Sequence, residues 1–192
     1  MRKESAENTK RRLLKIAQRH FLERGYHGVS LEDMADEAGV TRGALYHHFQ
    51  SKLGLFKSVY EETQNDVTEQ IEASCIQSEE PWEQLILGCK GFIDGAIKQE
   101  NARIMLIDAP NVLVWNDWRK TDKEASESLL AEHVAFLNER GYLKPIPVAL
   151  IVSAISGALN ELAICLVNNP ELAEKDEFIT NTINNLLYGF RT

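Results

Sequence analysis

Apolar residues recur along the chain at the three- and four-residue spacing of an α-helix, and no stretch alternates with the period of a β-strand. In the first such segment Leu13, Ala17 and Phe21 fall on one helix face, and Gly25 follows where a left-handed end conformation favours glycine. The pattern predicts an all-α protein of about nine helices. Their approximate ranges are 9–24, 31–38, 42–49, 52–78, 81–98, 101–108, 115–140, 147–168 and 171–188.

Short polar residues mark the starts of the second, third and fourth predicted helices. Ser30, Thr41 and Ser51 stand directly before these segments, where a side-chain oxygen can accept a hydrogen bond from a free backbone N–H group. Pro81 is suited to the first turn of the fifth helix. Pro110 is expected to stop the sixth helix, because proline lacks the N–H group that a helix interior uses.

The fifth predicted helix carries Gly88, Gly91 and Gly95 on one face. Glycine inside a helix costs about 1 kcal/mol relative to alanine, so three on one face need a reason. The more common reason is a closely packed neighbouring helix, and the alternative is space for another molecule.

The eighth predicted helix is apolar on nearly all sides, and such a helix must be covered on two sides. We expect one side to face the core of its own subunit and the other to contact a second copy of the chain. The alternative is a central helix wholly buried in one subunit. Polar residues interrupt the segment, so we expect no membrane span. The predicted interface of the homodimer comprises Ser153, Ile155, Ser156, Gly157, Leu159, Asn160, Ile183 and Leu187.

The charge of the chain is divided unevenly along its length. The 192 residues carry a formal net charge of −8, which excludes a uniformly basic nucleic-acid coat. Residues 1–60 nevertheless contain 11 Lys and Arg against 7 Asp and Glu, whereas residues 61–192 contain 10 against 22. The asymmetry indicates a small basic module joined to a larger acidic one, although an excess of this size also arises by chance.

The chemistry-bearing residues disfavour several classes of protein. Cys75, Cys89 and Cys165 are odd in number and far apart, so we expect no disulfide framework and a reducing, cytoplasmic environment. No apolar leader follows the basic residues near the N-terminus. The GxSxG, HExxH and phosphate-loop patterns are absent, so the sequence predicts neither an enzyme nor a metal or cofactor site.

The segment 29–49 has the organisation of a helix-turn-helix. Ala35 supplies the small residue where the two helices touch, and Gly39 supplies the sharp turn between them. The first turn of the second helix in such a motif enters the major groove of DNA. The sequence therefore predicts a DNA-reading helix at 42–49.

The residue types around this helix suit contacts to bases and phosphates. Arg42 can donate two hydrogen bonds to guanine O6 and N7, and Gly43 lets the backbone approach DNA closely. Lys52 and the free N–H groups of the next helix can hold a phosphate. The predicted DNA contacts are Ser30, Thr41, Arg42, Gly43, Tyr46, His47, His48 and Lys52.

Residues 45–52, with the sequence LYHHFQSK, and the following Leu55-Phe56 pair resemble the TetR family of bacterial repressors. The order of three short helices, a linking helix and a helical remainder is similar as well. The resemblance is specific over residues 9–60 and weaker beyond them. The family often has Thr at the first position of the second helix, where this chain has Leu31, which leaves Ser30 as the substitute phosphate contact.

The resemblance implies a DNA-binding domain at residues 1–51 and a ligand-binding and dimerisation domain at residues 52–192. It implies a homodimer that binds double-stranded DNA at a palindromic operator and is released by a small-molecule effector. The alternatives are a regulator or architectural protein without a ligand, and an activator that uses the same motif. The predicted pocket for an apolar or aromatic ligand is lined by Trp82, Phe92, Met105, Trp115 and Trp118. The competing interpretation is that these residues belong to the apolar core.

Overall fold

The computed structural model of the chain describes residues 2–113 and 127–192. Within these ranges the chain is helical, and its one extended pairing is an isolated bridge between Leu143 and Arg191. The predicted all-α class is therefore confirmed. The elements are α1 (Arg2–Arg24), α2 (Leu31–Glu37), α3 (Arg42–Phe49), α4 (Lys52–Cys75), α5 (Pro81–Ala96), α6 (Gln99–Ala102), a π-helical segment (Arg103–Asp108), α7 (Ala109–Val112), α8 (Ser128–Glu139), α9 (Val148–Asn168), α10 (Pro170–Ala173) and α11 (Asp176–Tyr188).

Local hydrogen bonds fix the starts of α2, α3 and α4 where the sequence places them. The side-chain oxygens of Ser30, Thr41 and Ser51 accept from backbone N–H groups at 3.1, 3.2 and 2.9 Å respectively. Each of these bonds satisfies a donor that the first turn of a helix leaves unpaired. Gly25 has a φ of +69° at the end of α1, as predicted for a left-handed helix end.

An aromatic cluster joins α1 and the residues that follow it to the start of α4. Phe21 and Phe56 are both fully buried, and their ring centroids lie 5.1 Å apart in an edge-to-face arrangement. The Tyr26 ring packs against Phe56 with a centroid separation of 5.2 Å. The core of the N-terminal helices therefore includes the first turns of α4.

The glycine face of α5 packs closely against α4. A Cβ atom added at Gly91 would lie 2.7 Å from Ser74 Oγ, and one at Gly88 would lie 2.9 Å from Cys75 Sγ. At Gly95 the nearest atom would be Val67 Cα at 3.3 Å. The three glycines therefore bring the two helices together, which is the first of the two predicted reasons.

The sixth predicted helix continues past the proline that was expected to stop it, so that prediction is wrong. Pro110 lies in the first turn of α7, which extends to Val112. The preceding turn is π-helical, and the Ala109 N–H donates five residues back to Ile104 O. The wider turn interrupts the regular α-helical hydrogen-bond pattern just before Pro110. The helix can therefore continue although proline has no N–H group to donate. The last predicted helix is also divided, into α10 and α11.

Helix α9 is buried on one face and exposed on the other. Ile151, Ile155 and Leu159 are at most 4% exposed and face the subunit's own core. Leu150 on the opposite side is 62% exposed. By length and composition α9 is the one described helix that could cross a membrane, but a core helix of a globular protein passes the same test. The structure therefore leaves a large apolar side chain, Leu150, uncovered on the outer face of α9.

Candidate DNA-reading surface and ligand cavity

Helix α3 turns one face inward and presents its other face to solvent. Leu45 and Phe49 are buried against the N-terminal core, whereas Arg42, Tyr46 and His47 are exposed. The three exposed side chains, together with the exposed backbone at Gly43, form the reading surface of α3. These groups can donate and accept hydrogen bonds to base edges and phosphates.

The Arg42 side chain is held by Tyr46 one turn along α3. Arg42 Nη2 donates to the Tyr46 hydroxyl at 3.4 Å, and the guanidinium carbon lies 5.4 Å from the centre of the Tyr46 ring. The hydrogen bond to Tyr46 raises the pKa of the guanidinium above its ordinary value. Arg42 therefore meets a binding partner fully charged and already oriented.

The two adjacent histidines of α3 have different surroundings. His47 is exposed, while His48 is half-buried with its ring 6.0 Å from the Phe49 ring. Their own ring centroids lie 5.8 Å apart. His47 therefore belongs to the solvent-facing surface, and His48 packs at the end of the helix.

The predicted phosphate contacts also take part in the internal hydrogen bonding of this region. The hydroxyls of Ser30 and Thr41 accept from backbone N–H groups of α2 and α3. Lys52 Nζ donates to Val29 O at 2.8 Å and lies 4.9 Å from the centre of the Tyr26 ring. Burial lowers the pKa of the Lys52 ammonium. Lys52 thus secures the connection before α2, a structural use that sequence reasoning did not anticipate.

A charged cluster ties α2 to α1 behind the reading surface. The buried His20 donates from Nε2 to Glu37 Oε2 at 2.8 Å, and Arg19 also donates to Glu37. The hydrogen bond from His20 is the main reason that the pKa of Glu37 lies below its ordinary value. Since α2 packs on α3, this cluster helps to set the orientation of the reading helix.

A cavity of about 360 Å³ lies between α4, α5, α8 and α9. Its volume falls in the range of sites that bind small organic molecules. Burial raises the pKa of the Cys89 thiol in its wall to about 12, and it also raises the pKa of Cys75. Both thiols are therefore neutral at physiological pH, and the cavity has a largely apolar wall. Its apolar and sulfur-containing lining residues are Ile71, Cys75, Leu85, Cys89, Phe92, Leu129, Leu130, Phe136 and Leu159.

The structure places the residues predicted for a pocket in different surroundings. Phe92 lines the cavity. Trp82 and Met105 lie outside its lining, and Trp82 is covered by Tyr188 and by the Arg191 guanidinium, whose carbon lies 4.9 Å from the Trp82 ring centre. Trp115 and Trp118 lie outside the described residues. Sequence reasoning missed the α4 and α8 walls, because only the tertiary packing brings these helices together.

The residues predicted for a subunit interface are also divided between surroundings. Ile155, Leu159, Ile183 and Leu187 are buried in the subunit's own core. Ser156 and Asn160 line the cavity. Ser153 and Gly157 lie on the exposed face of α9. Helical periodicity indicates that a helix has two apolar sides, but it does not assign either side to a neighbour.

The π-helical segment binds the end of α1. Arg103 Nη1 donates to Leu22 O at 3.2 Å, and the backbone N–H of Tyr26 donates to Asp108 Oδ2 at 3.1 Å. Gly25 lies between these contacts, and a Cβ atom there would be 2.6 Å from Arg103 Nη2. We name this pair of contacts the Arg103–Asp108 clamp. Sequence reasoning missed it, because its partners are about 80 residues apart in the chain.

Two parts of the chain match the sequence models of known protein families. Residues 13–59 match "Bacterial regulatory proteins, tetR family". Residues 82–190 match "Tetracyclin repressor-like, C-terminal domain". The first match contains the reading surface of α3, and the second contains α5, α8 and α9 of the cavity wall.

Individual proteins are similar over nearly the whole chain. The Transposon Tn10 TetC protein of Escherichia coli is 25% identical over 182 residues, which cover 90% of this chain and 87% of that protein. The crystal structure of a TetR-family transcriptional regulator from Pectobacterium atrosepticum is 28% identical with a TM-score of 0.79, covering 98% of this chain and 97% of that one. The transcriptional regulator FadR from Bacillus subtilis, solved in complex with stearoyl-CoA, has the same fold at 18% identity, with a TM-score of 0.77 and coverage of 92% and 96%. The chain belongs to the tetR family of bacterial regulatory proteins.

Proposed function

We propose that this protein is a cytoplasmic, ligand-responsive transcriptional repressor that binds a palindromic DNA operator as a homodimer. The observation that carries the proposal is the exposed Arg42–Tyr46 pair on α3, in a motif that the family match includes. The protein is acidic overall, so binding to DNA depends on the local surface of α3 and its flanks. Arg42 reads a guanine, while Tyr46, His47 and backbone groups near Gly43 position the helix on the phosphates.

The exposed faces of α9 and α11 support the dimer. Both helices pack on α5 through their inner sides. Leu150 on α9 and Phe178 on α11 remain 62% and 60% exposed. Each of these large apolar side chains lies on the outer side of its helix, where a second copy of the chain can cover it. A two-fold dimer through these faces fixes the spacing of two reading helices, and a palindromic operator matches that symmetry.

The cavity favours a ligand-responsive regulator over an architectural protein without a ligand. A well-packed domain leaves few voids larger than a water molecule, whereas the described residues of this domain leave a cavity large enough for an organic effector. The transcriptional regulator FadR of B. subtilis has the same fold and was solved in complex with stearoyl-CoA, so this fold can hold a small molecule in that protein.

The Arg103–Asp108 clamp provides a route from the cavity to the DNA-reading helices. The π-helical segment contacts α1, α4 and α9, and the last two of these helices form walls of the cavity. An effector that fits better when these walls shift favours a different placement of α1 and its attached reading helix. Release of DNA and binding of the effector are then coupled reciprocally, typically by about 1–3 kcal/mol.

The test is a selection from random double-stranded DNA, followed by fluorescence anisotropy of the selected DNA over a range of salt concentrations. We expect enrichment of a palindrome and a steep fall of affinity with salt. Arg42→Ala should weaken binding by about 1–3 kcal/mol and relax the preference at one base pair in each half-site. Arg140→Ala is the matched control, because it removes the same charge from an exposed position at the end of α8.

Two outcomes would contradict the proposal. Absence of any enriched sequence would exclude an operator-binding function. Equal losses of affinity in Arg42→Ala and Arg140→Ala would show that only the net charge matters and that α3 does not read bases.

A further inference from the structure

The residues around the first turn of α2 mostly serve the subunit itself. The Ser30 hydroxyl accepts from the backbone N–H of Glu32 at 3.1 Å, and the half-buried Leu31 packs against the core. The Asp33 carboxylate lies 3.6 Å from Arg24 Nη1, so it faces α1. The Glu32 side chain is exposed and takes part in none of these contacts. Its carboxylate is therefore the group of this turn that is available to a binding partner.

The charge of Glu32 reaches the reading surface of α3. Helix α2 packs on α3, and Arg42 is the exposed first residue of α3. The pKa of the Arg42 guanidinium is raised first by its hydrogen bond to Tyr46, and the negative charge of Glu32 acts in the same direction. The Glu32 carboxylate therefore adjoins the residue that is proposed to read a guanine.

A carboxylate on a DNA-facing surface has a cost and a specific use. It is repelled by phosphates, so it weakens the sequence-independent part of binding, which depends on cations. An ionised carboxylate only accepts hydrogen bonds. In the major groove its matching base is cytosine, whose N4 amino group donates. Adenine also presents an amino group, but the neighbouring N7 is an acceptor and suits an amide better than a carboxylate.

We propose that Glu32 is a specificity-determining residue, whose carboxylate accepts a hydrogen bond from the N4 amino group of a cytosine in each half-site of the operator. This inference rests on the proposed function, because it assigns a second base contact beside that of Arg42. The two side chains then read complementary groups, since Arg42 donates to guanine and Glu32 accepts from cytosine. At a site without this cytosine the carboxylate loses its partner and is left facing the phosphates, which lowers affinity for other DNA.

The competing role of Glu32 is to stabilise α2 through the positive end of the helix dipole. Asp33 stands in the same turn and carries the same charge, so it serves that role as well. A dipole contribution affects the stability of α2 and does not select a base. The bases that a variant selects therefore distinguish the two roles.

The test repeats the selection from random double-stranded DNA with Glu32→Gln and Glu32→Ala in the full chain. Glu32→Gln should change one position of each half-site from cytosine to adenine, because an amide donates to N7 and accepts from the N6 amino group. Glu32→Ala should relax the same position without a new preference. By fluorescence anisotropy, the ratio of affinities for operator and scrambled DNA should fall about fivefold or more in both variants.

Asp33→Asn is the matched control, because it removes the same charge from the adjacent position, whose carboxylate faces Arg24. It should keep the selected sequence and change the affinity ratio by less than about twofold. Circular dichroism and urea denaturation show whether each variant is folded, and Glu32→Ala decides the base preference if Glu32→Gln is not.

The results distinguish failure of this inference from failure of the proposed function. An unchanged selected sequence in the folded Glu32 variants would overturn the role of Glu32, and so would equal falls of the affinity ratio in Glu32→Gln and Asp33→Asn. In both cases an operator selected by the wild-type chain would leave the proposed regulator intact. Absence of any sequence enriched by the wild-type chain would overturn both.

Discussion

At the scale of single residues, two glycines near α3 have opposite surroundings. A Cβ atom on Gly54 would collide with the backbone oxygen of Phe49, the last residue of α3. A Cβ atom on Gly43 would have no neighbour closer than Thr41 Oγ1 at 3.8 Å. Gly54 is therefore required for the close turn from α3 to α4, whereas the folded subunit itself does not require Gly43.

We predict that Gly54→Ala lowers the free energy of unfolding by about 2 kcal/mol, because the turn must move to relieve the collision. Gly43→Ala should raise it by about 0.5 kcal/mol through better helix propensity, while weakening binding to operator DNA. Urea denaturation of both variants and anisotropy of Gly43→Ala check these outcomes. Equal stability of the two variants would contradict the role given to Gly54.

Local signals such as these are the part of the molecule that the sequence predicts well. The caps at Ser30, Thr41 and Ser51 and the turn at Gly25 depend on neighbouring residues, and all four are confirmed. The continuation past Pro110 was not predictable in this way. It depends on a π-helical turn whose geometry is set by packing against α1, α4 and α9.

At the scale of helices, the Arg103–Asp108 clamp supplies partners that α1 lacks. The last carbonyl groups of a helix have no N–H partner within the helix. Arg103 Nη1 donates to two of them, Leu22 O at 3.2 Å and Glu23 O at 3.5 Å. Asp108 accepts from Tyr26 N just beyond the helix end and lies 3.8 Å from Arg103 Nε. The π-helical segment thus stabilises the end of a helix that belongs to the DNA-reading part.

We predict that Arg103→Ala lowers the free energy of unfolding by about 1–2 kcal/mol, because the carbonyl groups of Leu22 and Glu23 lose a charged donor. Arg140→Ala removes a more exposed guanidinium from the surface of Phe136, and it should cost less than about 0.5 kcal/mol. Chemical denaturation of both variants measures the difference. If the two losses were equal, the clamp would contribute nothing beyond an ordinary surface cation.

At the scale of the whole molecule, helix α9 is shared between the subunit core and the proposed dimer. The sequence predicts the need for two covered faces, yet it does not distinguish the inward Ile155 and Leu159 from the outward Leu150. That distinction arises from packing against α5 and α8, which no local pattern encodes. For the same reason, no local pattern predicts the cavity, whose walls come from four separate helices.

We predict that Phe178→Glu and Leu150→Glu give folded monomers that bind operator DNA weakly, because each places a charge on an exposed apolar face. Ile76→Glu is the matched control, since Ile76 is 81% exposed at the end of α4, away from these faces. Sedimentation velocity and circular dichroism measure assembly and folding. A dimeric Phe178→Glu, Leu150→Glu double variant would contradict the proposed interface.

The clamp and the aromatic cluster together limit how freely this molecule can be recombined with its relatives. A chimera joined at residue 51 would separate Phe21 and Tyr26 from Phe56, and it would place an unrelated side chain where Arg103 meets Gly25. Such a hybrid would disrupt the aromatic packing between its two parts, and a side chain in place of Gly25 would collide with Arg103. An exchange of DNA-binding helices between relatives therefore has to include the first turns of α4 and a compatible Arg103–Asp108 clamp. The segment that must be exchanged as a whole is larger than the helix-turn-helix.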